Sequence, residues 1–245
     1  MSRLARAELL KLRTTRVVYV LAGIALLFSG LVAAIVAAEE GLDDDPALGL
    51  AEIAGTSGFL ALVLGILLTT NEYRHGTITS TFLVTPRRPR VLVAKLVAGG
   101  LAGGVLGVAV AVISFGIAIP WLDGSADEIR VDGQLLEAVG RLVAIYALFV
   151  LVGVAAGAII QNQAGTIVAA FAWLFVVEQI LNVIVAVLAE GDSPIGPYLP
   201  GGALAGVSAT EGDLLEGGWA LLFSCGYVVL LSAAGAVAMT RRDPA

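Results

Sequence analysis

The stretch Asn71-Glu72-Tyr73-Arg74-His75-Gly76-Thr77-Ile78, running on to Thr85-Pro86-Arg87-Arg88-Pro89-Arg90 and Lys95, is a polar, basic break between two apolar runs. Its reading decides the fold. The flanking runs are either parts of a soluble core or membrane spans joined by a segment that stays in water. Composition chooses the second. Hydrophobic residues make up 58% of the 245-residue chain and charged residues only 14%, whereas a soluble domain carries about a quarter charged residues. Mean hydropathy is +0.95. The length suits one integral-membrane domain.

A span needs roughly 20 apolar residues at about 1.5 Å rise each. Runs at 17–38, 53–70, 92–122, 139–160, 164–189 and 219–239 meet that need. An all-α protein of six spans is therefore expected. The third run is longer than a bilayer is thick, so part of it should tilt or project.

Orientation follows from the cations. Arg3, Arg6, Lys11, Arg13 and Arg16 precede the first span. Arg74, Arg87, Arg88, Arg90 and Lys95 lie between the second and third, and Arg241 and Arg242 follow the sixth. An even number of spans with the N-terminus inside places all of these in the cytoplasm; only Arg130 and Arg141 fall elsewhere. The opposite loops collect acids: Glu39, Glu40, Asp43, Asp44 and Asp45, then Asp123, Asp127, Glu128 and Asp132, then Asp192, Glu211, Asp213 and Glu216. Both termini are expected inside. The first run, about 22 residues, exceeds the 7–15 of a signal-peptide core and reads as an uncut anchor. The net charge of -6 thus matters less than its distribution.

The lone Cys225 excludes an intrachain disulfide, and one histidine, His75, leaves too few ligands for a His-based metal site. Residues 2–16 mix Leu4, Leu9, Leu10 and Leu12 with cations and Glu8. Two readings stay open there: a helix lying at the inner headgroup surface, or a flank that only sets orientation. Gly99, Gly103 and Gly107 in the third run, and Gly153 and Gly157 in the fourth, allow helix backbones to approach closely. Gln161-Asn162-Gln163 is a short turn that should make its flanking spans antiparallel. Residues 191–218, rich in Pro and Gly, predict a structured outer connection with short helices.

Within the basic break, Gly76 permits a sharp change of direction after Glu72, Tyr73, Arg74 and His75. Thr77 to Val84 reads as a short helix with Ile78 and Phe82 on one side. Thr85 reads as the N-cap of the third span and Pro86 as its first residue, with Pro89 in the same turn. Inside the membrane, Glu178 lies near the middle of the fifth run, with Gln179 beside it and Asn182 one turn on along the same face. A charge at that depth costs about 2.5–3.5 kcal/mol on insertion scales and requires a partner or water. It either lines a transport path or ties helices together through Tyr146, Ser114 or Ser224.

Glu72-Tyr73-Arg74-His75-Gly76-Thr77, followed by Thr85-Pro86-Arg87-Arg88 and Ala94-Lys95, resembles the corresponding segment of ABC-2 type permeases, the membrane subunits of bacterial ABC exporters. The likeness extends to the basic N-terminal segment, the six spans and Tyr198-Leu199-Pro200-Gly201 in the outer connection. It implies an N-terminal elbow helix at the interface and a coupling helix between spans two and three. That helix, with Glu72, Tyr73, Arg74, His75, Gly76, Thr77, Thr85, Arg87 and Arg88 around it, would dock on a separate ATPase. The same likeness implies two permease copies, as a homodimer or related heterodimer, with two ATPase subunits in the bacterial plasma membrane. Lys11 and Lys95 sit in no Gly-x4-Gly-Lys-Ser/Thr loop, so ATP and magnesium would belong to the partner. Catalysis by this chain and nucleic-acid binding are not expected. The rival reading is an ATP-independent secondary transporter or pore built on Glu178.

Overall fold

The computed structural model describes residues 2–39, 45–85, 87–123, 129–189, 193–209 and 217–241. Among these it is helical, without a β-strand. The helices are α1 (Ser2–Thr14), α2 (Arg16–Glu39), α3 (Pro46–Gly55), α4 (Gly58–Arg74), α5 (Ile78–Val84), α6 (Arg88–Leu122), α7 (Gly133–Ile160), α8 (Gln163–Ala172), α9 (Glu178–Ala189), α10 (Pro200–Gly206) and α11 (Gly217–Arg241). A π turn at Trp173–Val177 joins α8 to α9, and a 3-10 turn at Gly196–Tyr198 precedes α10.

Among the described residues five stretches are long and apolar enough to cross a membrane: α2, α6, α7, α8 with α9, and α11. The chain is built as a multi-pass membrane protein. The run at 53–70 departs from the expected single rod. There α3 and α4 pass the same test only as a pair, bent by 42°. Sequence explains the break, because Gly55-Thr56-Ser57-Gly58 brings glycines and hydroxyls together. Thr56 Oγ1 donates to the Ile53 carbonyl at 2.7 Å and Ser57 Oγ to that of Ala54 at 2.8 Å. These hydroxyls supply the polar partners that a broken helix lacks in an apolar medium. Tyr146 of α7 closes the site, its hydroxyl paired with Ser57 and lying 3.4 Å from Ser29 Oγ of α2.

α7 is the axis of the bundle, packed against α6, α4 and α11. Glycine makes this possible at two crossings. A Cβ on Gly103 would lie 2.7 Å from Ala147 Cα, and one on Gly153 would lie 2.2 Å from the Leu62 carbonyl oxygen. Those distances admit no side chain, so the stripes serve packing within the chain. The α8–α9 span stands apart. Only 6% of its most apolar stretch is buried, against 56% for α7.

The described part of the segment after α9, residues 193–209, is structured, as its prolines and glycines predicted; α10 packs on α11 and α7. The start of α6 differs from expectation. Thr85 closes α5 instead of capping α6: its N–H donates to Thr81 O at 2.9 Å, and its backbone is at φ -130°, ψ 84°. A residue before proline is pushed out of the helical region, which explains why Thr85 ends α5. Arg87 holds the N-cap position of α6, and Pro89 lies in its first turn. Pro86 is outside the described residues, as are Glu40, Asp43, Asp44, Asp127, Glu128, Asp192, Glu211, Asp213, Glu216 and Arg242.

Candidate functional site

The described cations gather largely at one end of the bundle, around the polar break that follows α4. There α4 stops at Arg74, and His75 N–H donates to Asn71 O at 3.0 Å. Gly76 follows at φ +66°. Nothing lies within 4 Å of a Cβ built on it, so glycine is required here by backbone conformation alone. The turn delivers α5, which buries Ile78 and packs Phe82 on the core. Thr79, Ser80 and Leu83 face away, Leu83 with 81% of its surface exposed.

The expected coupling residues divide into two groups. Arg74, His75, Gly76, Thr77 and Arg87 lie on the exposed surface beside α5, and Thr85 is half-buried. Glu72 and Tyr73 turn inward. Arg88 holds the segment together from within. Its guanidinium lies 5.1 Å from the Phe82 ring centroid and donates to the Met239 carbonyl of α11 at 2.7 Å. Arg74 reaches Gln163 at the start of α8 at 3.1 Å. Leu83 was not singled out in the sequence, since only the register of α5 shows which of its apolar residues is left outside.

Beneath this segment lies a charge cluster that the sequence did not show. Glu8 of α1, Glu72 of α4 and Lys95 of α6 are 3%, 7% and 1% exposed. Lys95 Nζ lies 2.8 Å from Glu8 Oε2 and 3.0 Å from Glu72 Oε1. Lys11 Nζ, at the rim, lies 2.7 Å from Glu8 Oε1 and 2.5 Å from Glu72 Oε1. Lys95 also donates to Leu68 O at 3.1 Å. Burial pushes the Glu8 carboxyl up, but Lys95 and Lys11 outweigh it and hold the group below its ordinary value. Burial likewise pulls Lys11 down, and Glu72 and Glu8 more than restore it, leaving it raised. Two acids and two bases make the cluster neutral. Removing one of the three buried members, Glu8, Glu72 or Lys95, costs about 3–5 kcal/mol, because a charge is stranded. Lys95 is thus no surface cation, and Leu10, not the Glu8 and Leu12 side, is the exposed face of α1.

Toward the other end, the π turn ends directly at Glu178. Such turns shift the register of the residues after them. Glu178 is 3% exposed, and its two carboxylate oxygens accept the Gly201 N–H of α10 at 2.9 and 3.0 Å. The helix partners expected from sequence are not used. Tyr146 serves the α3–α4 break, while Ser114 and Ser224 have no hydrogen-bond partner among the described residues. The reason is distance along the chain: the acid is met by the 193–209 connection, which folds back over the span. Asn182 accepts from Ser193 Oγ at 3.2 Å, reinforcing the same closure. A cavity of about 670 Å³ opens alongside, lined among others by Phe59, Phe149 and Phe175 and by Glu52, Glu178 and Asn182. That volume and mixed lining suit a small amphipathic molecule.

No family model matches this chain, and no curated protein matches it.

Proposed function

We propose that the chain is the permease subunit of an ATP-driven exporter of the ABC-2 type, energised by a separate ATPase. The observation that carries this reading is α5. A seven-residue helix is held out at the basic end on a left-handed glycine turn, anchored inward by Ile78 and Phe82 and by Arg88 on α11. Its outer side leaves Leu83 exposed beside Arg74 and Arg87. A helix fixed this firmly and yet left apolar on its free side fits docking by a partner with an apolar pocket and acidic rim.

In this reading α3 and α4 together form the second of six spans, and the basic end with both termini is cytoplasmic, in a bacterial plasma membrane. Two permease copies, identical or related, pair with two ATPase subunits, which bind ATP and magnesium. The exposed α8–α9 span supplies a face for the second copy. Cargo is hydrophobic or amphipathic and passes by alternating access, with the cavity beside Glu178 on its route. Co-purification with a Walker-motif ATPase encoded beside this gene tests the proposal. A stable complex whose hydrolysis rises with cargo supports it; transport that persists without any ATPase moves the assignment to a secondary transporter or pore.

A further inference from the structure

The buried cluster sits where the proposed docking segment meets the membrane, and its geometry is specific. Glu72 lies in the last turn of α4 and Lys95 in the second turn of α6, so the pair joins the two legs of the α4–α5–α6 hairpin at its base. Glu8 and Lys11 then bring α1 onto that joint from a third direction. No covalent continuity requires this: α1 is separated from the hairpin by α2 and α3 in the chain. We propose that Glu8, Lys11, Glu72 and Lys95 are positioning residues that clamp α1 and both legs of the hairpin into one rigid body. Displacement of α5 then moves the N-terminal helix and, through Thr15 and Arg16, the start of α2.

Three features favour a transmission joint over inert packing. An apolar set of the same volume is often as stable as a buried ion cluster, so what the charges add is a fixed register between three helices. Ile78, Phe82 and Arg88 hold α5 on the bundle, and the clamp keeps the helices on either side of it in one register. The joint is also incompletely satisfied. Glu72 Oε2 is buried without a hydrogen-bond partner among the described residues. An orphaned carboxylate oxygen is costly in the present arrangement, and a shift that lets it find a partner would be favoured.

Hydrogen exchange of the full-length protein in nanodiscs tests the clamp without any ATPase. Lys95→Met and Glu8→Gln each strand a charge, whereas Glu8→Gln with Lys11→Met removes both charges that α1 contributes and leaves the Lys95–Glu72 pair neutral. Exchange of α1 amides is expected to rise about tenfold or more in each single variant and in the double, because contacting groups act as a unit. The α6–α7 interface should exchange as in the parent, which certifies folding. Unchanged α1 exchange in the folded double variant overturns the clamp. The transmission step rests on the ATPase partnership proposed above and is read separately. In the ATPase complex the double variant should still bind but lose cargo-dependent stimulation. Full stimulation with a loosened α1 overturns transmission, whereas failure of the parent to bind any ATPase rejects the partnership and leaves the clamp standing.

Discussion

Glu178 and Glu8 are both buried acids, and their surroundings give them different work. Glu178 accepts a backbone N–H from α10, so its oxygens matter more to the closure than its charge does. Glutamine keeps an acceptor there and leucine keeps none. Glu178→Gln should therefore retain the folded chain and its transport, while Glu178→Leu frees the 193–209 connection and costs about 1–3 kcal/mol. Thermal unfolding with a transport assay separates them, and loss of transport in a well-folded Gln variant would assign the charge itself a role. Glu8 is different because its partners are ions. Its folded value lies below the ordinary 4.5 and that of Lys11 above the ordinary 10.5. The Glu8 contribution is present above the unfolded value and is lost as pH falls through the folded one; the Lys11 contribution is present below its unfolded value and lost as pH rises through the raised one. Docking of α1 should accordingly be level from about pH 6 to pH 9 and fail in acid, below the ordinary carboxylate range. Exchange protection of α1 across pH, corrected for intrinsic rates, checks this.

Among elements, α5 is the most readable from sequence and α3–α4 the least. Gly76 and the spacing of Ile78 and Phe82 are local signals, and the helix lies where they place it. The start of α6 was misplaced: Thr85 and Pro86 read as its cap and first residue, whereas Thr85 closes α5 and Arg87 takes the cap position. At the α3–α4 break the run 53–70 stays apolar on average, and a hydropathy reading passes over the Gly55-Thr56-Ser57-Gly58 group that permits the bend. The bend depends on Tyr146 arriving from α7 to meet Ser57, a contact separated by 89 residues. The charge cluster was hidden for the same reason: Glu8, Glu72 and Lys95 are scattered in sequence and become one site only when three helices meet. Gly76→Val tests α5 as an element. A β-branched residue at positive φ is strained by about 1–3 kcal/mol, and open space around the position means that strain, not collision, is what changes. Membrane insertion should be normal, while α5 shifts and becomes more sensitive to limited proteolysis. Unaltered cleavage would mean that the turn tolerates another conformation and that its handedness is not required.

For the whole molecule, the gathering of the described cations largely at one end was legible because charge placement is a property of sequence segments. The two cations outside that pattern find different settings, Arg141 holding Glu137 and the Ala209 carbonyl near the α10 end at 2.6 Å each. The six-span arrangement predicts that Ser80→Cys and Val131→Cys, each in a Cys225→Ala background, lie on opposite faces of the membrane. In intact cells an impermeant maleimide should label residue 131 and leave residue 80 unlabelled until the membrane is opened; the reverse pattern would invert the topology. The central claim is that α5 is a docking element for an ATPase. Leu83→Asp places a charge on its exposed apolar knob, and Arg87→Glu with Arg90→Glu reverses the exposed cations beside it, leaving Arg88 and its contacts intact. The most direct measurement is titration of the purified ATPase onto the protein in nanodiscs, at low and high salt. Leu83→Asp should weaken binding about tenfold or more at either salt, and the Arg87→Glu, Arg90→Glu pair should weaken it chiefly at low salt. Parent-like binding by both variants would contradict the account, reducing the segment to a loop that only fixes orientation in the membrane.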